Sequence, residues 1–317
     1  MNRVLLGLIC LLPLAACQGT GKPPKQETMV RLGDMPESYA QLWQAWLLDD
    51  PRYSSLRNAA KQDPAQIQFL VENLIGVMLG EVSWGRVLSG PPGAPTTLER
   101  ARIELLNLRT ASVVALTEVL VLGSGLGPVA VEDLLIEIAG PAVGPLLLQL
   151  ARIDNAMARR RASHTLAEIA FQRIPAGMDT GPIRFALAER LHGDEDWIVR
   201  SQCALALAAW GRSTHGDMAE TSRQIAPALL DEDAGVRKDA IQALGRLGDP
   251  RVLPALINHL ERSINAGRMG ETVTTQKTLS ALTHSGRSHT PAQWRAWWRD
   301  QRPKVLAHFD AQAKRRQ

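Results

Sequence analysis

Apolar side chains in this chain recur at steps of three and four rather than two. Val236, Ala240, Ala243, Leu244 and Leu247 share one helical face, and beyond Pro250 so do Val252, Leu253, Leu256, Ile257 and Leu260. The spacing returns in paired segments from Leu98 onward: 98–108 with 112–122, 129–140 with 141–151, 156–170 with a stretch near 181–191, 197–210 with 222–230, and 235–247 with 250–260. None of these helices has enough apolar surface to stand alone, so each pair must bury its face against neighbours. Nearer the N-terminus, Leu42, Trp43, Trp46 and Leu47 predict a helix from about Ser38, another follows Pro51, and a third covers 65–79. Residues 89–97, SGPPGAPTT, break the periodicity and predict a loop closing off this N-terminal helical cap.

The pairs also repeat in wording. DEDWIVR at 194–200 returns as DEDAGVR at 231–237, and Ala162, Cys203 and Ala240 align together with Leu166, Leu207 and Leu244 and with Arg159, Arg200 and Arg237. Residues 138–150 match 247–260, with Pro141 under Pro250, Val143 under Val252 and Pro145 under Pro254. Recurrence at this period marks stacked structural units. Asp196 and Asp233 stand where a helix begins, so each carboxylate can accept from the free backbone N–H groups of the first turn and oppose the positive end of the helix dipole; Asn155 can cap likewise.

The unit built on Asp233, Val236, Arg237, Ala240, Ala243, Leu244, Gly245, Leu247 and Gly248 resembles the HEAT-repeat family, in particular its short PBS-lyase-like subtype. The copy at 194–211 keeps Val199, Arg200, Leu207 and Gly211 but has Trp210 at the Ile/Leu position, and the copy at 154–169 has Asn155 and Ala158 for the family's Asp and Val. The resemblance implies an all-α fold, a right-handed α-solenoid of antiparallel helix pairs. It also implies a ladder between adjacent units, carried over here onto Asp196, Arg200, Asp233 and Arg237. Leu282-Thr283, followed by Trp294, Trp297 and Trp298, resembles a terminal element of such proteins, with His284 and Ser288 where glycines are usual.

Composition agrees with helices: aromatics are 4% of the chain, and alanine, leucine and arginine dominate. The first residues change the picture more. Arg3 precedes an apolar run from Val4 to Ala16, the layout of a secretory signal, and Leu14-Ala15-Ala16-Cys17 resembles the bacterial lipobox. Cleavage before Cys17 and its acylation would give a lipid-anchored envelope protein, with Gln18 favouring the periplasmic face of the outer membrane. The expected organisation is a signal peptide at 1–16, a Gly/Pro-containing tether at 17–37, the helical cap at 38–88, the repeat array with a Trp-rich capping helix at 98–300, and a C-terminal helix and basic tail at 301–317. The net charge of +4 is spread over many charges of both signs, which argues against nucleic acid as a partner. Cys203 would be the only thiol left after processing and lipidation, so no disulfide framework is expected.

Candidate chemistry is sparse. Thr290 then Pro291 predicts a helix start that sets Trp294, Trp297 and Trp298 on one face, either a cap on the last repeat or an aromatic platform for cell-wall fragments, glycans or another ligand. The histidines show no metal spacing, Ser163-His164 are neighbours on a helix and point apart, and Gly123-x-Gly125-x-Gly127 lacks the strand of a phosphate loop. Basic clusters at 159–161 and 314–316 read as a solvated helix face and a frayed terminus, with contact to anionic lipid headgroups as the alternative. No catalytic residue, metal or cofactor is expected. The leading expectation is a non-catalytic scaffold or adaptor for unidentified envelope proteins, with wall or glycan binding, and a bilin-lyase-like enzyme, as alternatives.

Overall fold

A computed structural model describes residues 36–80, 96–122, 127–172, 174–212, 215–285 and 289–316, with backbone alone at 215, 216 and 312–316. The predicted signal peptide, Cys17, most of the tether and of the 89–97 loop, Gly123, Gly125, Ser288 and the side chains at 314–316 lie outside the described residues. Within them the fold is an all-α solenoid without strands. No single helix among them is long and apolar enough to cross a membrane.

The chain divides into two compact units at Leu134–Leu135. The first contains α1 (Glu37–Leu47), α2 (Tyr53–Ala60), α3 (Pro64–Met78), α4 (Thr97–Leu108), all but the end of α5 (Thr110–Leu122), and the first part of α6 (Gly127–Ile138). Helices α4 and α5, expected to open the repeat array, are therefore grouped with the N-terminal helices. Its local signals are strong. The Asp63 carboxylate accepts from the N–H groups of Ala65 and Gln66, and Pro64 supplies the fixed φ of a first helical position. Thr96 and Glu99 form a reciprocal capping box on α4. Trp43 and Trp46 stack at 5.0 Å in the core, with the Arg100 guanidinium over Trp46.

The second unit begins at the end of α6 and continues with α7 (Gly140–Leu150), α8 (Ala156–Gln172), α9 (Gly181–Gly193), α10 (Trp197–Trp210), α11 (His215–Ile225), α12 (Ala234–Leu247), α13 (Leu253–Asn265), α14 (Met269–Thr283) and α15 (Pro291–Arg316). Alternate helices stack: α8 on α10, α10 on α12 and α12 on α14, with α9, α11 and α13 packed as their partners. The aligned positions share one environment. Ala162, Cys203 and Ala240 are fully buried, as are Leu166, Leu207 and Leu244. Small residues in the first row let the stacked helices approach, and the leucines fill the space below them.

Two glycines are fixed by close approach. A Cβ on Gly211 would lie 2.4 Å from Thr221 Oγ1, and one on Gly235 would lie 2.8 Å from Trp197 Cζ3. The second contact explains why the copy after DED reads Ala-Gly in one unit and Trp-Ile in the other: the indole of one unit occupies the space over the next.

Sequence periodicity missed α14. Its buried side chains are Glu271, Thr275, Thr278 and Leu279, so a face that packs inward carries almost no apolar signal. Helix α15 passes through Pro303 without a break, joining the Trp-rich segment and the C-terminal stretch that the sequence had suggested as separate.

Candidate functional site

The charged residues of the second unit converge in a repeated joint. In DEDWIVR and DEDAGVR the three acids have three fates. Asp194 is fully buried, Glu195 has 87% of its side chain exposed, and Asp196 is 10% exposed. Asp196 Oδ1 accepts from the N–H groups of Ile198 and Val199, and Asp233 Oδ1 accepts from those of Gly235 and Val236 at 2.7 and 3.3 Å. The third acid is thus the helix cap, and Asn155 does the same for Ala158 N at 2.9 Å.

The first acid carries the ladder. Arg159 Nε and Nη2 donate to Asp194 at 2.7 and 2.9 Å, and Arg200 donates in the same fork to Asp231 at 2.9 and 2.9 Å. Arg237 completes the series by donating to Glu271 Oε1 at 2.6 Å through Nη2 and at 3.1 Å through Nε. Each arginine also turns Nη1 back onto two carbonyls ahead of its own helix: Arg152 and Ile153 for Arg159, Asp194 and Glu195 for Arg200, Asp231 and Glu232 for Arg237. A planar fork with five donors satisfies both sets at once, which an ammonium could not.

The family ladder carried onto Asp196, Arg200, Asp233 and Arg237 therefore needs correction in its acids. Arg200 and Arg237 make the joints with Asp231 and Glu271, and Arg159 makes the third with Asp194. Asp196 does reach the preceding unit, but through Arg160 at 2.6 Å. Asp233 spends its hydrogen bonds on its own helix. The physical reason is reach: a cap carboxylate is turned down onto the first-turn N–H groups, whereas the acid two residues earlier points across the stack. Glu271 comes from α14, which has no DED motif, so sequence alignment had no position to assign it.

Glu271 gathers further partners. His259 Nε2 lies 3.2 Å from Glu271 Oε2 and 3.1 Å from Ser263 Oγ, while Nδ1 donates to Leu229 O at 3.0 Å. Burial holds the His259 imidazole below its usual range, with Glu271 pulling the other way. Burial raises the Glu271 carboxyl, but hydrogen bonding and charge from Arg237 outweigh it and leave it below the ordinary carboxylate range. Serine and carboxylate meet the same ring nitrogen, whereas a relay needs them on opposite nitrogens. This cluster is a joint.

The tryptophan face is also placed. Thr290 and Gln293 cap α15 reciprocally. Trp294 is fully buried, its Nε1 donating to Gln276 Oε1 at 3.0 Å, with the rings of His289 and Trp297 edge-on to it at 4.7 and 5.8 Å. Trp297 and Trp298 are half-buried. Trp294 thus ties α15 to α14 and offers no face to a ligand. His284 takes φ 52°, the left-handed conformation that glycine favours at this position of the terminal element.

Cys203 is buried, and desolvation raises its thiol far above the reactive range. Among the described residues no group of three histidine, cysteine or carboxylate side chains could hold a metal ion.

The family model described as HEAT repeats matches residues 186–272, the stretch from α9 to the start of α14. Residues 186–272 are thus similar to HEAT repeats. Within that HEAT segment lie the Arg200 and Arg237 joints and both DED motifs. The crystal structure of an engineered protein from the Northeast Structural Genomics Consortium is similar at 16% identity and a TM-score of 0.39, over 68% of this chain and 98% of that one. Comparison with curated proteins finds no match.

Proposed function

We propose that this protein is a non-catalytic scaffold or adaptor, lipid-anchored through Cys17 at the periplasmic face of a bacterial outer membrane, that binds partner proteins on its HEAT-repeat surface. Its units follow the short PBS-lyase-like form of the repeat. The observation that carries the reading is the ladder: Arg159, Arg200 and Arg237 and their carboxylates are buried in joints between repeats. Side chains fixed in that way serve stacking, and the function falls to what the helices present outward. HEAT repeats generally mediate protein–protein interaction, and large apolar side chains such as Phe185, Leu148 and Leu230 are exposed on helices of this unit. The lipobox at the start of the chain supports the anchor, since several acyl chains on one cysteine give durable attachment.

Two measurements test it. Labelled palmitate should enter the wild type and not Cys17→Ala; equal labelling removes the anchor. Crosslinking in cells should link the protein repeatedly to the same envelope proteins, and a chain that links to nothing would leave the scaffold reading without support.

A further inference from the structure

We infer that α14 and α15 are a detachable end of the second unit, opening together from α12 and α13 while the helices before them stay folded. The preceding helix of the stack is held by apolar packing: α12 buries Val236, Ile241, Leu244 and Leu247. Helix α14 buries Glu271, Thr275, Thr278 and Leu279, so a single large aliphatic side chain is buried on its inward face. Met269 and Val273 of the same helix are exposed at 70% and 48%. Apolar burial supplies most of what an element loses on leaving the fold, and α14 has little of it to lose.

The polar grip on α14 passes through one carboxylate. Glu271 receives the Arg237 fork from α12 and lies against His259 and Ser263 of α13. A buried ion pair adds little net stability once the cost of drying both partners is counted. Helix α15 goes with α14 because the buried Trp294 donates to Gln276, whose Nε2 donates in turn to His289 O at 2.7 Å, at the entry to α15. Arg295 pairs with Glu261 of α13, and Asp310 with Arg251 of the 3₁₀ turn Pro250–Val252, but all four side chains are a third or more exposed, and pairs of that kind hold weakly. In a stack each unit is held by its nearest neighbours alone, so a weak last interface opens at a lower free energy than the rest. Opening bares Arg237 and Gly245 on α12 and shortens the stack by one helix pair.

Hydrogen exchange on the full chain, read by mass spectrometry, tests it. Corrected for intrinsic rates, peptides from 271–283 and 293–311 should exchange through one shared opening, at least about tenfold faster than peptides from 236–247. A cross-link can remove that opening alone, because a Cβ on Gly245 would lie 3.8 Å from Thr278 Cβ, the spacing a disulfide needs. In Gly245→Cys with Thr278→Cys, and with Cys10 and Cys17 replaced by alanine, oxidation should bring α14 and α15 to the exchange rate of α12, and dithiothreitol should restore the difference. Circular dichroism checks that the cross-linked chain is folded. Independently of it, Arg237→Ala should speed α14 and α15 by the same factor, about tenfold or more. Wild-type α14 and α15 exchanging no faster than α12, a gap that survives oxidation, or an α15 that keeps its own rate when α14 is cross-linked or loosened would each overturn the proposal.

Discussion

Arg237 and Glu271 meet as a buried guanidinium–carboxylate fork between α12 and α14, with side chains 8% and 9% exposed. They join one repeat to a helix with little apolar surface of its own. Removing one partner strands the other away from water, which costs far more than the intact pair contributes. Arg237→Ala should lower unfolding stability by about 3 kcal/mol, whereas Arg237→Met with Glu271→Leu should recover most of it. Urea denaturation followed by circular dichroism decides; a single-variant loss below about 1 kcal/mol would place the stability of this joint elsewhere.

The caps should separate from the ladder. Asp233→Ala removes only the bonds to Gly235 and Val236 N–H and should cost about 1 kcal/mol. Asp196→Ala loses the cap and the Arg160 pair together, so it should cost more, and Arg160→Ala should narrow the gap between the two. Equal losses for Asp196→Ala and Asp233→Ala would mean that the Arg160 contact adds nothing.

Gly211 cannot gain a methyl group without moving Thr221. Gly211→Ala should cost about 1–3 kcal/mol by overpacking, and adding Thr221→Ala should return part of it. A thermal midpoint for Gly211→Ala equal to wild type would show that α10 and α11 are packed more loosely here.

Acid should loosen the second unit. Burial raises the Asp196 carboxyl, yet the Arg160 hydrogen bond and the first-turn N–H groups hold it below the usual range, and Glu271 is lowered by Arg237 in the same way. A carboxyl whose folded pKa is depressed contributes stability above its unfolded value, about 4, and loses it as pH falls through the folded value. Thermal midpoints should therefore hold at pH 5 and above and drop below about pH 4. Glu271→Gln should show a shallower drop, and an unchanged slope would count against Glu271 as a contributor.

Trp294 should behave as an anchor. Trp294→Ala should cost about 3–5 kcal/mol and open α15 to limited proteolysis, while Trp297→Ala, truncating a half-buried ring, should cost less. If cleavage within α15 is no faster in Trp294→Ala than in wild type, the helix is held by other contacts.

What the chain determines by itself is what depends on near neighbours. The steps of three and four between Val236 and Leu247 set α12, and Asp196, Asp233 and Thr290 cap their own helices because a cap reaches only two or three residues along. The recurrence of Ala162, Cys203 and Ala240 foretold a stack, since equivalent positions in equivalent units meet the same surroundings. What the tertiary structure decided lies across the stack. Three adjacent acids are chemically alike in sequence, and only the neighbouring repeat makes one a ladder rung, one a solvated side chain and one a cap. The inward face of α14 is polar because Arg237 and His259 wait for it, so hydrophobic periodicity could not see it. Trp294 and Trp297 share a helical face, but packing against Gln276 and His289 decides which of them water can reach.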